Sequence, residues 1–115
     1  MFRVTAVKFI LMVQDMNRAI EFYSKTFGLS IGFQSPDWSE LTVGDAVVAL
    51  HSGGSGQRVE TGLSFQVDDI EAAVAAVRAS GGVVVRAPHG PGDEGIRLAD
   101  LVDTEGNGFM VSQPV

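Results

Sequence analysis

The chain has 115 residues, 45% of them hydrophobic and 19% charged, with eight Lys plus Arg against fourteen Asp plus Glu for a net charge of −6, and it has no cysteine. That length suits one ordinary domain, and the apolar content is far above that of disordered chains. The acidic balance argues against nucleic acid or an anionic membrane surface as partner. The missing cysteines remove disulfides, thiolate metal sites and Cys nucleophiles, and no apolar run approaches the roughly 18 residues of a membrane span. Phe9 to Val13 is too short for the apolar part of a signal peptide, so a cytoplasmic protein is expected.

Val4 to Val13 is rich in β-branched and aromatic residues and predicts a strand, after which Asp15 predicts the N-cap of a helix. Met16, Ile20, Tyr23 and Phe27 form one apolar stripe on that helix, and Gly28 stops it. Strands are predicted over Leu29 to Gln34, Ser39 to Val43 and Ala46 to His51, the last two joined by a tight turn at Gly44-Asp45. A flexible, glycine-rich stretch follows from His51, and residues 52–61 are expected to link two modules, 1–51 and 62–115, of a single domain spanning 1–115.

The pattern then starts again. Leu63 to Val67 predicts a strand, Asp68 with Glu71 a capping box, and Ile70, Val74 and Val77 a second helical stripe ending at Gly81-Gly82. Val83 to Arg86, Ile96 to Val102 and Asn107 to Ser112 complete the strands, with a Pro- and Gly-rich loop over Ala87 to Glu94. Adding 54 carries Val13, Met16, Ile20, Tyr23, Gly28, Leu29 and Ile31 onto Val67, Ile70, Val74, Val77, Gly82, Val83 and Val85. Adding 61 carries Leu41, Val48 and Leu50 onto Val102, Phe109 and Val111. Two copies of one βαβββ unit are therefore expected, in an α+β fold with a curved mixed sheet around a cleft.

Strand side chains alternate between faces, so parity separates core positions from cleft positions. Phe9, Leu11 and Val13, with Leu63, Phe65 and Val67, fall on the helix side. Lys8, Ile10 and Met12 fall opposite, as do Gly62, Ser64 and Gln66, and Ala49, His51, Met110 and Ser112 near the closing edges. The same parity places Trp38 and Arg97 in the cleft as an aromatic plate and a fixed cation.

The run Val13-Gln-Asp-Met-Asn-Arg-Ala-Ile-Glu-Phe-Tyr, the following Phe27-Gly28-Leu29, the echo Val67-Asp-Asp-Ile-Glu-Ala-Ala-Val with Gly81-Gly82, and the closing Asp103-Thr-Glu-Gly-Asn together resemble the vicinal oxygen chelate superfamily. That superfamily includes glyoxalase I, extradiol dioxygenases, fosfomycin-inactivating enzymes and bleomycin resistance proteins, and the resemblance covers nearly the whole chain. It implies paired modules whose sheets curve into a cleft, commonly completed by a second subunit, sometimes through exchanged modules. It also implies that metal-dependent members draw ligands from positions that here hold Lys8, Gly62, Ala49 and Met110. An ammonium, a hydrogen, a methyl and a thioether are no set of donors for a divalent ion, so no metal and no cofactor is expected. His51 with Glu40 or His89 could form a displaced site, but no close spacing supports one.

Two functions follow as expectations. The first is a metal-free small-molecule binding protein of the bleomycin-resistance type, a homodimer holding an aromatic or antibiotic-like ligand. Ile10, Met12, Phe33, Trp38 and Met110 would give apolar contact, and Lys8, His51, Ser64, Gln66 and Arg97 would orient the ligand. The acidic balance suits a cationic ligand, whereas Lys8 and Arg97 suit an anionic one. The alternative is a metal-independent isomerase, lyase or cofactor-free oxygenase, with Lys8 or His51 as its catalytic residue; an amine on a floor of Ile10 and Met12 would be a usable base or Schiff-base nucleophile.

Overall fold

The computed structural model describes residues 1–115 and runs β1 (Lys8–Val13), α1 (Met16–Phe27), β2 (Ser30–Phe33), β3 (Trp38–Val43), β4 (Ala46–Ser52), β5 (Val59–Gln66), α2 (Ile70–Ala79), β6 (Val83–His89), β7 (Ile96–Val102) and β8 (Asn107–Pro114). The fold is α+β, two βαβββ units in series. Each unit forms its own four-stranded sheet, ordered β1-β4-β3-β2 and β5-β8-β7-β6. The pairs β1·β4 and β5·β8 are parallel and the hairpins are antiparallel. Neither helix is long and apolar enough to cross a membrane.

The helix ends follow from local chemistry. Asp15 lies in extended backbone and accepts from Arg18 N at 3.0 Å, satisfying one of the free N–H groups of the first turn, and Gly28 closes α1 at φ 69°. In the second unit the N-cap is Asp69, accepting from Ala72 N, and not the expected Asp68; Asp69 is the residue 54 positions after Asp15. There Ser80 is the C-cap and Gly81 takes the left-handed backbone at φ 92°.

The helices pack on one face of each sheet and bring the two units together. A single cluster of 18 buried side chains draws on both halves, with Tyr23, Leu11, Leu41 and Leu50 from the first and Ile70, Val77, Leu101 and Val111 from the second. Aromatic rings cross the seam: Phe27 stacks on Phe65 with centroids 4.5 Å apart, and Phe22 meets Phe109 edge-on at 6.2 Å. Each such side chain contributes roughly 1.5–3 kcal/mol of burial free energy.

A polar weld reinforces that seam. Glu105, in the β7–β8 turn, is only 3% exposed. Its carboxylate accepts from Gln14 N and Asp15 N at the start of α1, from Arg18 Nε at 2.7 Å and from Thr104 Oγ1. Burial would raise this carboxyl, but the hydrogen bonds from Arg18, the Asp15 backbone and Thr104 outweigh it and hold it below the usual range. Next to it, buried Asp103 accepts from the Tyr23 hydroxyl and from Asn107 N, while Asn107 Nδ2 donates to Met12 O at 2.9 Å. Burial, followed by the Asp103 charge, pushes the Tyr23 hydroxyl well above its ordinary value.

Several element boundaries differ from the sequence expectation. Residues 1–7 are exposed and form no strand, so β1 begins at Lys8 and not at Val4. The first residues of β5 lie inside the stretch read as linker, because Val59 and Glu60 find partners in Asn107 and Gly108. The larger difference is one of register. The β3–β4 turn has two residues, Val43 pairing with Ala46, whereas in the β7–β8 turn Asp103 N donates to Asn107 O across three residues. That extra residue shifts β7 by one, so Leu101 and not Val102 pairs with Phe109 as Leu41 pairs with Val48. A one-residue slip turns every side chain of a strand to the other face. In β6 it is Val84 that packs on the core, while Val83 and Val85 are exposed.

Candidate functional site

On the face of the first sheet away from the helices, the ladder sets Lys8 opposite Val47, Ile10 opposite Ala49 and Met12 opposite His51. It then sets His51 opposite Trp38 and Ala49 opposite Glu40. Phe33, at the outer strand, also pairs with Glu40. Six of the expected ligand contacts, Lys8, Ile10, Met12, Phe33, Trp38 and His51, thus share one surface. Ile10 and Met12 on one edge strand and Phe33 on the other remain 52%, 44% and 55% exposed, an apolar border on both sides of Trp38.

The polar groups of this surface are locked together. Glu40 Oε2 accepts from Lys8 Nζ at 2.8 Å and from Trp38 Nε1 at 2.8 Å. Lys8 Nζ lies 5.9 Å from the indole centroid, within cation–π range. The hydrogen bonds from Lys8, then from Trp38, hold the Glu40 carboxyl below the usual range. His51 meets Trp38 edge-on at 5.9 Å, and its Nδ1 lies 2.6 Å from Ser52 O.

On the second sheet Ser64 pairs with Met110 and Gln66 with Ser112, so these three expected contacts occupy the corresponding face of that sheet. Arg97 does not join them. It pairs with Gln113 in the ladder two positions from the buried Ala99, and its guanidinium reaches Glu71 on α2 at 2.8 Å. The expectation that Arg97 shares the cleft face with Trp38 is corrected: the three-residue turn reverses its side. A cavity of about 1030 Å³ lies elsewhere, along the edge of β5 and the helix-facing side of the first sheet, against Phe9, Phe27, Leu29 and Val48. Of the expected contacts only Ser64 and Gln66 line it.

The residues present do not fit a divalent ion. Lys8, Ala49, Gly62 and Met110 supply no hard donor set, and no three His, Asp or Glu side chains converge anywhere in the chain. His89 ends β6 opposite Leu98, in the other sheet from His51, so those two do not meet, and Glu40, on the same face as His51, is engaged by Lys8 and Trp38. Lys8 is a partnered ammonium and not the desolvated amine that a Schiff-base role needs. Sequence reasoning weighed Glu40 only as a metal ligand. Its parity with Trp38 was the available sign of its place on this face, but its pairing with Lys8, 32 residues away, depends on strand order.

Two βαβββ units, each with its own four-stranded sheet and helix, define the class of fold. The sequence model of the Glyoxalase/Bleomycin resistance protein/Dioxygenase superfamily matches residues 5–111, and the chain belongs to that superfamily. No curated protein sequence is matched. Among solved structures, the chain is similar to TnmS3, an antibiotic binding protein from Streptomyces sp. CB03234, at 25% identity and TM-score 0.76, covering 100% of this chain and 99% of that one. It shares its fold with the fosfomycin resistance protein FosX from Listeria monocytogenes, at 14% identity and TM-score 0.80 over 99% and 96% of the two chains. A superfamily enzyme from Burkholderia phytofirmans PsJN shares it too, at 22% identity and TM-score 0.78 over 94% and 97%.

Proposed function

We propose that the protein binds a small planar or aromatic, antibiotic-like molecule, without metal, on the sheet faces turned away from the helices. In this reading it is a homodimer, in which the first sheet of one copy and the second sheet of the other enclose the ligand. The carrying observation is Trp38, fixed by Glu40 amid exposed Ile10, Met12 and Phe33. An apolar face of that kind is uneconomical to leave to water, and pockets for small molecules are built from apolar walls with a few placed polar groups. The similarity to an antibiotic binding protein supports the same reading.

Thermal shift and calorimetry across planar aromatic antibiotics test it. A true ligand at about 100 times its Kd stabilises the fold by about 2.7 kcal/mol, and Trp38→Ala removes that gain. If no compound in the panel shifts the melting transition, or if Trp38→Ala leaves the shift intact, the reading fails. Light scattering should return twice the chain mass; a monomer that still binds would overturn the dimeric part alone.

A further inference from the structure

Two cations suggested an anionic ligand from the sequence, and neither stands as expected: Arg97 faces α2 and pairs with Glu71, and Lys8 is held by Glu40. We propose that the ligand of the Trp38 face is a planar aromatic that donates hydrogen bonds from its rim, through phenolic hydroxyl or amino groups, and is not an anion; this rests on the binding function proposed above.

The argument counts donors and acceptors. Ser52 O is a carbonyl and can only accept, so His51 Nδ1 carries the hydrogen of that 2.6 Å contact. In the neutral ring Nε2 is then a bare acceptor, on an exposed side chain, and no group of the chain donates to it. Glu40 Oε2 is occupied by two donors, while Oε1 receives none. The one polar hydrogen of the indole is used on Glu40.

Trp38 therefore lies between two unsatisfied acceptors: it touches Glu40 through Nε1 and His51 through its ring edge. Lys8 keeps two N–H groups, but the carboxylate 2.8 Å away cancels its charge and repels an incoming anion. An aromatic plate flanked by acceptors selects a flat partner with donors at its edge. An arene lacking them leaves nothing unpaired on its own side, yet it strips water from Glu40 without replacement, which is costly.

Calorimetry at pH 7 with 2,3-dihydroxynaphthalene and 2-naphthoate, equal in ring area and opposite in rim chemistry, tests the inference. The diol should bind at least tenfold more tightly. His51→Leu and Glu40→Leu should each weaken the diol at least fivefold, and Glu40→Leu, by freeing Lys8, should tighten 2-naphthoate at least fivefold. Glu40→Gln, which keeps an oxygen for the indole but sets an amide NH2 where the free Oε1 stood and removes the charge, should lose the diol preference as Glu40→Leu does, and circular dichroism and melting curves confirm that each variant is folded. Binding of 2-naphthoate as tight as that of the diol, or a preference unchanged in both leucine variants, overturns the inference while leaving the binding function intact. If neither probe binds and the antibiotic panel is also silent, both fail together.

Discussion

Removing the Glu105 carboxylate should cost far more than removing the cation it faces. Glu105→Ala strands the backbone N–H groups of Gln14 and Asp15, which hydrogen-bond to Oε1 at 2.9 and 2.8 Å. Each orphaned donor costs about 1–3 kcal/mol, and taking the lower half of that range for partly buried groups gives a loss of about 3 kcal/mol. Arg18 is 47% exposed, so its ion pair is screened and Arg18→Ala should cost below about 1 kcal/mol. Glu105→Gln keeps one acceptor for the backbone donors but turns an amide N–H toward Arg18, for an intermediate loss of about 1–2 kcal/mol. Urea titration followed by Trp38 fluorescence and by circular dichroism measures all three, and at this chain length about 3 kcal/mol corresponds to a melting shift of about 10 °C. The reasoning is refuted if Arg18→Ala costs as much as Glu105→Ala, because the weld would then be an ion pair and not a backbone cap.

The same carboxylate predicts acid sensitivity. Glu105 titrates lower in the folded chain than in the unfolded one, so its contribution is complete above the ordinary carboxylate range near about pH 4.3 and is lost as pH falls through the folded value. Urea midpoints taken from pH 7 to pH 3 should show the gap between wild type and Glu105→Gln closing. Tyr23→Phe removes one of the partners of buried Asp103 and should cost about 1–2 kcal/mol in the same titration. Gly82→Ala would set a methyl 2.6 Å from Val77 Cγ1 and 3.0 Å from Phe22 Cε1, and the repacking should cost about 1–3 kcal/mol by thermal melting. Arg97→Ala breaks only a surface pair with Glu71, so stability should fall by less than about 1 kcal/mol and calorimetric affinity for aromatic ligands should not change.

What was legible in the sequence was whatever depends on local spacing. Asp15, the Ile20–Tyr23 stripe and Gly28 specify α1 without reference to the rest of the chain, and the structure keeps all of them. The shared face of Trp38 and His51 could be read because a two-residue turn fixes the parity of both strands. The placement of Arg97 could not, because it depends on whether the second hairpin turns in two residues or three, and the Asp103-Thr-Glu-Gly run does not announce its length. Glu105 escaped notice for a related reason: it holds groups 87 to 91 positions away, and no local pattern reports a contact of that span. Val84 was missed in favour of Val83 and Val85 by the same uncertainty of register.

The halves are fastened by a shared apolar core, in which Phe27 stacks on Phe65, and by Asn107 and Glu105 of the far turn reaching Met12, Gln14 and Asp15. Opening the halves as a hinge would therefore expose that core and strand the buried Glu105 carboxylate. The outer rim strand β2 is held least, since all of its residues are exposed and it has a neighbour on one side alone. If the chain binds ligands as proposed, the breadth it tolerates would be set by Phe33 and its neighbours at that border.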